Sequence, residues 1–209
     1  MHQNVEERTR DAEAELAHDR AMFDSVEAGR ADVLWRCWES PSPVVVVGRH
    51  GTLAEVHESR CREHHVPVVR RFSGGGAVVL GPGCLNYAVA LSFVSRPEFI
   101  DVQAGFAMIL AAIVEALRVP GLGLAGPADL ALDGRKVSGN AQRRGRHALI
   151  HHGTLLYDFD SSLASRYLLE PGRQPAYRRH RPHTDFIGNL PLDAKTLRAR
   201  LATACRTYA

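Results

Sequence analysis

The spacing of apolar residues changes several times along this 209-residue chain, and each change marks an element. From about Asn4 to Gly29, Leu16, Ala17, Met22, Phe23 and Val26 recur among charged residues. That spacing predicts an amphipathic helix stopped by Gly29. The stretch VLWRCWESPSPVVVVGRH then predicts a strand, a Ser-Pro turn and a second strand at Val44 to Val47. Four successive valines suit a strand covered on both faces. LAEVHESRCREHH reads as a short helix and VPVVRRF as a further strand. An apolar run resumes just beyond three glycines, Gly74 to Gly76. VQAGFAMILAAIVEALRV carries a wide apolar stripe and predicts a helix ended by Pro120 and Gly121. The segment from Ala128 to Asp160 reads as a β-meander of short runs, broken at Asp133-Gly134, at Gly139-Asn140 and at a basic turn. LDAKTLRARLATACRTYA predicts a last amphipathic helix. The pattern contains no internal repeat and no domain boundary. It predicts one α+β domain over residues 1–209, with a mixed, largely antiparallel sheet flanked by helices.

Composition narrows the classes. The chain is 45% hydrophobic and 23% charged with a net charge of +3, which suits a globular protein and is too weakly basic to imply nucleic acid. No run approaches the roughly 18 apolar residues of a membrane span, and no leader pattern is present. The four cysteines are widely spaced with no C-x-x-C pair, so a disulfide framework or zinc site is not expected and a reducing cytoplasm is. Nearly all the positive charge is arginine. Only Lys136 and Lys195 are lysines, which singles out a lysine inside a motif.

Three stretches carry candidate chemistry. In RRFSGGGAVV, Ser73 to Gly76 lets backbone N–H groups approach a bound anion with no Cβ in the way. Arg70 and Arg71 lead into it, and strand alternation allows only one of them to face such a site. The plainer reading is a glycine-rich hairpin bend with surface arginines. In DGRKVSGNA, Lys136 stands between a tight turn and the small residues Ser138 and Gly139, where an ammonium suits an anionic or carbonyl oxygen. A solvated strand lysine is the plainer alternative. His151 and His152 face opposite ways on a strand and cannot share a metal, which favours core or wall positions. YRRHRPHTDFIGNL is a basic loop, open to either an acidic partner or plain solvation.

Taken in order, VVVGRH, RRFSGGGAVV, LNY, GPADL, GRKVSGNAQRR and HHGTLL resemble the lipoate-protein ligase A catalytic domain, within the biotin/lipoate protein ligase and octanoyltransferase superfamily. The motifs span about Val44 to Leu156. The resemblance implies that ATP activates lipoate as lipoyl-adenylate, and that the acyl group then passes to a lysine of an acceptor lipoyl domain, of dehydrogenase E2 or glycine-cleavage H type. It implies that Lys136 contacts both the acyl carbonyl and the phosphate. It implies that Arg71, Ser73, Gly75, Gly76, Ala77, Val78 and Val79 lie along the adenylate, with Asn86, Gly139, His152 and Thr154 around it. Asp129 falls at the acidic position near the adenylate and Mg²⁺. The glycines would then keep side chains away from a buried acyl-adenylate, and the valines would wall its C8 chain.

This sequence departs from the family at two places. Leu80-Gly81 stands where many ligases carry His-Asp, and Pro127-Ala128 precedes Asp129 where the pattern has an asparagine. The length is too short to include the C-terminal accessory domain of two-part ligases, so the expectation is either a separate accessory polypeptide that assists adenylation or a protein that only transfers a preformed acyl group. The rivals are an ATP-independent octanoyl- or lipoyl-transferase acting through a cysteine thioester, and a non-catalytic lipoyl-binding relative. Cys84 lies beside the glycine strand and reads better as a small buried residue than as a nucleophile.

Overall fold

The computed structural model describes residues 5–172 and 174–208. The first helix, α1, runs over Val5–Glu27 as its pattern predicts; Asn4 and Ala209 lie outside the described residues. Strands β1 (Val33–Glu39) and β2 (Val44–Val47) follow, and all four valines are buried. The helix expected next is a 3₁₀ turn at Leu53–Glu55 followed by α2 (Glu58–Glu63). Strands β3 (Val68–Arg70), β4 (Val78–Leu80) and β5 (Cys84–Ser92) lead to α3 (Val102–Leu117). The Asp101 carboxylate accepts from the Ala104 N–H at 2.8 Å and caps the start of α3. Strands β6 (Gly123–Ala125), β7 (Asp129–Leu132), β8 (Arg135–Arg144) and β9 (Ala148–Leu156) form the meander. Short helices α4 (Ser162–Tyr167) and α5 (His183–Phe186) precede α6 (Ala194–Arg206).

The strands divide into two sheets. Six form an antiparallel sheet in the order β1-β5-β9-β8-β7-β6, and three form a mixed sheet, β3-β2-β4. The glycine run is therefore not a hairpin bend. β3 pairs parallel with one side of β2 and β4 antiparallel with the other, so the run carries the chain across from one edge of β2 to the other. A second correction concerns Gly139-Asn140, which does not break a strand. β8 passes through it unbroken and changes partner there, pairing with β7 up to Gly139 and with β9 from Asn140 onward. The Asp133-Gly134 turn behaves as expected: both residues take positive φ, 51° and 72°, as a type I′ hairpin requires.

Each face of the six-stranded sheet has its own cover. Helices α3 and α6 pack over the large side chains Leu85, Tyr87, Val89 and Leu91 of β5. The intervening positions are small, Ala88 and Ala90, and receive Phe23 and Val26 of α1. Beyond α1, the cluster around Trp38, Val44 to Val47, Leu156 and Phe159 joins the two sheets. Among the described residues no helix is long and apolar enough to cross a membrane.

Candidate active site

A cavity of about 490 Å³ opens where the two sheets meet. Val46, Val78 and Val79 reach it from the small sheet, with Gly75, Gly76 and Ala77 of the glycine run and the side chain of Arg71. The large sheet supplies Asn86, Asp129, Lys136, Gly139, His152 and Thr154. These thirteen positions, all singled out in the sequence, thus converge on one space. Ser73 does not: it is fully buried behind the wall.

The two adjacent arginines part as strand alternation requires. Arg70 is exposed and donates to the carbonyls of Gly48 (2.6 Å) and Gly51 (2.9 Å). Arg71 is 8% exposed and spreads its planar fork under the glycine run, donating to Gly74 O (2.6 Å), Gly76 O (2.9 Å) and Val46 O (3.3 Å). Burial lowers its pKa to about 10, and the nearby charge of Glu55 pulls the other way. Gly75 has φ +93°, and a Cβ on it would stand 2.7 Å from the Arg71 guanidinium. Gly75 therefore lets the chain close round Arg71, while a Cβ on Gly76 would stand 3.0 Å from the Glu55 carboxylate.

Behind the wall runs a buried polar relay. Ser73 Oγ lies 2.5 Å from His152 Nε2 and accepts from Arg71 Nε at 3.2 Å. His152 Nδ1 lies 3.5 Å from Asp19 Oδ2, and Asp19 accepts from Arg36 at 3.1 Å. With Ser73 accepting from Arg71, its hydroxyl proton is free to go to Nε2, which places the imidazole proton on the Asp19 side. The order Ser-His-Asp resembles a nucleophilic triad, but a fully buried Ser73 cannot meet a substrate. The relay instead fixes Arg71 to α1.

At the opposite wall Lys136 Nζ lies 2.8 Å from Asp129 Oδ1, on neighbouring strands. Gly139 leaves room for this pair, since a Cβ there would stand 2.7 Å from Nζ. The Tyr177 hydroxyl donates to Asp129 Oδ2 at 2.8 Å. Burial, followed by the Asp129 charge, raises the Tyr177 pKa, so the phenol keeps its proton. The ring of Tyr177 also lies against Gly126. Gly126 and Tyr177 thus bring two segments, 123–127 and 177–185, together beside the Lys136–Asp129 pair. The second is neither plainly solvated nor wholly outward: Arg178 is buried against Glu170 and lines the cavity with His183.

Sequence reasoning missed Glu55, whose Oε2 accepts from the Ala77 N–H at 2.9 Å at the end of the glycine run. It also missed Asn140, which donates to the Ala128 carbonyl at 2.9 Å and accepts from the Tyr87 hydroxyl at 2.5 Å. That bond ties down the loop in which Pro127-Ala128 departs from the expected pattern. Asp19 had a signal. It stands in the buried stripe Ala12, Leu16, Phe23, Val26 of α1, where a charge needs a buried partner.

The family described as lipoyl protein ligase A/B catalytic domain matches residues 11–191. The lipoate-protein ligase LplJ of Bacillus subtilis is 35% identical over 119 residues, covering 56% of this chain and 34% of its own. The octanoyl-[GcvH]:protein N-octanoyltransferase of Geobacillus kaustophilus is 34% identical over 148 residues, 65% of this chain and 52% of its own. The chain thus spans about a third to half the length of these curated relatives. A solved bipartite lipoate protein ligase from Thermoplasma acidophilum, studied with its E2 lipoyl domain, has the same fold. It superposes with a TM-score of 0.77 at 22% identity, covering 93% of this chain and 77% of the other.

Proposed function

Because the chain belongs to the lipoyl protein ligase A/B catalytic-domain family, we propose that it activates lipoate with ATP to lipoyl-adenylate and transfers the lipoyl group to a lysine of an acceptor lipoyl domain. One observation carries this reading. A single ammonium, Lys136, stands in a cavity walled on one side by valines and on the other by the Gly75–Ala77 backbone above Arg71. An acyl chain can lie along Val46, Val78 and Val79, gaining about 0.8 kcal/mol per buried CH₂. Its carboxylate and the α-phosphate then lie within the reach of one cation. Attack of a carboxylate on phosphorus needs alignment and charge neutralisation more than a protein nucleophile. Lys136 supplies the charge, and afterwards stabilises the oxyanion formed when the acceptor amine attacks the mixed anhydride.

ATP fits the donor set as a chain of anions beside Lys136, Arg71 and the glycine-run backbone. Magnesium fits only as an ion carried in on the phosphates. Both oxygens of Asp129 already serve Lys136 and Tyr177, so one of those bonds would be exchanged on its arrival. Bound there, the ion would neutralise phosphate charge.

The experiment mixes the protein, ATP, lipoate and a lipoyl domain, with and without a candidate accessory polypeptide, and reads the acceptor's mass. Pyrophosphate release is followed alongside transfer from synthetic lipoyl-adenylate. We expect the chain alone to transfer from the adenylate and to form it slowly, with a second polypeptide speeding the first step. The bipartite ligase of the same fold supports that expectation. Fast pyrophosphate release by the chain alone would leave a self-sufficient ligase, and absence of any transfer would overturn the assignment.

The octanoyltransferase relative makes thioester transfer the second reading. Among the described residues no cysteine lines the cavity, and burial pushes the Cys84 thiol up to about 12, away from the reactive thiolate. A variant with all four cysteines replaced by serine or alanine should keep its activity. Loss traced to Cys84 alone, with a trapped acyl-thioester, would favour the transferase.

A further inference from the structure

The reaction proposed above makes a chemical demand that none of the residues assigned so far meets. An acceptor lysine arrives near neutral pH as an ammonium, and it has no lone pair for attack until it gives up a proton. The cavity therefore needs a proton acceptor near Lys136. Lys136 itself is committed to Asp129, and both Asp129 oxygens are taken. Glu55 holds the Ala77 N–H at the glycine end, and a carboxylate is in any case a far weaker base than an imidazole. His152 has both nitrogens engaged, with Ser73 and Asp19.

His183 is different. It lines the same cavity from the start of α5, and its side chain is only 8% exposed. Its Nε2 lies 3.3 Å from the Leu169 carbonyl and 3.8 Å from Glu170 Oε1, which places the ring proton on Nε2. Among the described residues nothing is hydrogen-bonded to Nδ1. The imidazole is thus held by one nitrogen and leaves the other as a free acceptor.

We propose that His183 Nδ1 is the base that deprotonates the acceptor lysine, an inference that rests on the ligase reading. The lysine ammonium passes one proton to Nδ1 and becomes an amine. Its lone pair then forms the C–N bond at the acyl carbonyl carbon. The carbon–oxygen bond to the phosphate breaks, AMP leaves with that electron pair, and the second nitrogen proton departs on a phosphate oxygen.

The surroundings keep this base ready. Burial lowers the His183 pKa below its ordinary 6.5, helped by the charges of Arg178 and Lys136. The Leu169 carbonyl and Glu170 pull the other way without cancelling the shift. Of the other polar groups near α5, Asp185 lies on the helix itself, and Arg181 stacks on Phe186 and donates to the Gly134 and Tyr177 carbonyls. Arg135 of β8 donates to the Thr184 and Ile187 carbonyls, and the Tyr167 hydroxyl of α4 meets His64. A neutral imidazole at pH 7 can accept a proton. Transfer should therefore be flat above neutrality and fall as pH drops through the His183 pKa, below about 6.5.

The test is single-turnover transfer from synthetic lipoyl-adenylate to a lipoyl domain, by the native chain, His183→Gln and His183→Ala, with adenylate affinity measured for each. Glutamine keeps a donor for the Leu169 carbonyl but cannot serve as a base. Both variants should lose at least about 100-fold in transfer rate at pH 7, with the acid limb of the pH profile abolished. Added imidazole should restore part of the rate to His183→Ala. Native-like transfer by either variant would overturn the proposal. So would a loss that keeps the acid limb and is not relieved by imidazole, which marks a structural role. If the native chain fails to transfer at all, the ligase reading itself has failed; that outcome is distinct from a defect confined to the variants.

Discussion

Strand β9 carries two adjacent histidines, and its two faces use them in opposite ways. His151 turns toward α3 and α6, fully buried between the Tyr87 hydroxyl (3.1 Å) and the Gln142 side chain (3.2 Å). Burial, reinforced by the neighbouring His152, lowers its pKa to about 3, so it stays neutral at any ordinary pH. His152 turns toward α1 and joins the relay from Asp19 to Arg71, with part of its ring at the cavity. On the α3 side both ring nitrogens of His151 are closed by these partners, and the imidazole itself does not reach the cavity. On the α1 side each polar group is held at one end so that the other end, or its neighbour, can face a ligand. Neighbours in sequence thus serve separate purposes, and burial alone does not distinguish them; what matters is where the hydrogen-bond chain ends.

Substitutions on the two sides should separate activity from stability. The largest expected effect on activity is at Lys136. Lys136→Ala should reduce acyl transfer by about 10²–10³-fold, the scale for losing an oxyanion-stabilising group. It should cost only about 1 kcal/mol of stability, because Asp129 keeps its bond to Tyr177. Lys136→Arg should fail comparably, since a planar fork cannot replace a point charge shared between two oxygens. Transfer assays with denaturant titration check both, and normal transfer by either variant would remove Lys136 from the site.

An intermediate effect is expected at Asp19. Asp19→Asn should lower transfer by about tenfold, the worth of one hydrogen bond, by loosening His152, Ser73 and then Arg71. If transfer is unchanged, the relay ends in packing as His151 does, and the contrast between the two faces collapses.

The smallest effect on activity is expected at His151. The native protein should lose stability as pH falls from about 6.5 toward about 3, because the unfolded chain takes up a proton there that the folded chain refuses. His151→Leu should flatten that loss while leaving transfer within about twofold of native. Urea midpoints across that pH range give the slope. A steep acid loss that persists unchanged in the variant would assign it elsewhere.

The elements that could be read from the sequence were those that depend on local period: the four-valine strand, helix α3, the Asp133-Gly134 hairpin and the opposed directions of Arg70 and Arg71. Pairing order could not be read the same way. Nothing between Val68 and Leu80 says that β3 and β4 flank β2 instead of each other, because each segment is apolar enough for either neighbour. The Gly139-Asn140 step read as a break because glycine punctuates strands; here it marks a change of pairing partner. The cavity backbone was legible through its glycines, and the lysine through its rarity in an arginine-rich chain. Tyr177, Glu55 and His183 were not, because a polar residue in a loop looks solvated until the fold turns it inward.

The bond from Tyr177 to Asp129 bears on timing. It joins the loop beside the lysine to strand β7, and a hydrogen bond to a carboxylate is worth about 1.5–3 kcal/mol. If that bond sets the balance, the loop is lifted for about one part in ten to one part in two hundred of the time. In the proposed reaction the mixed anhydride would be consumed by whichever reaches it first through that brief opening, an acceptor domain or water. Shortening the open fraction preserves the intermediate but slows every delivery, and lengthening it speeds delivery while letting activated acyl groups leak away. In the proposed reaction one phenol would thus set the yield as well as the rate.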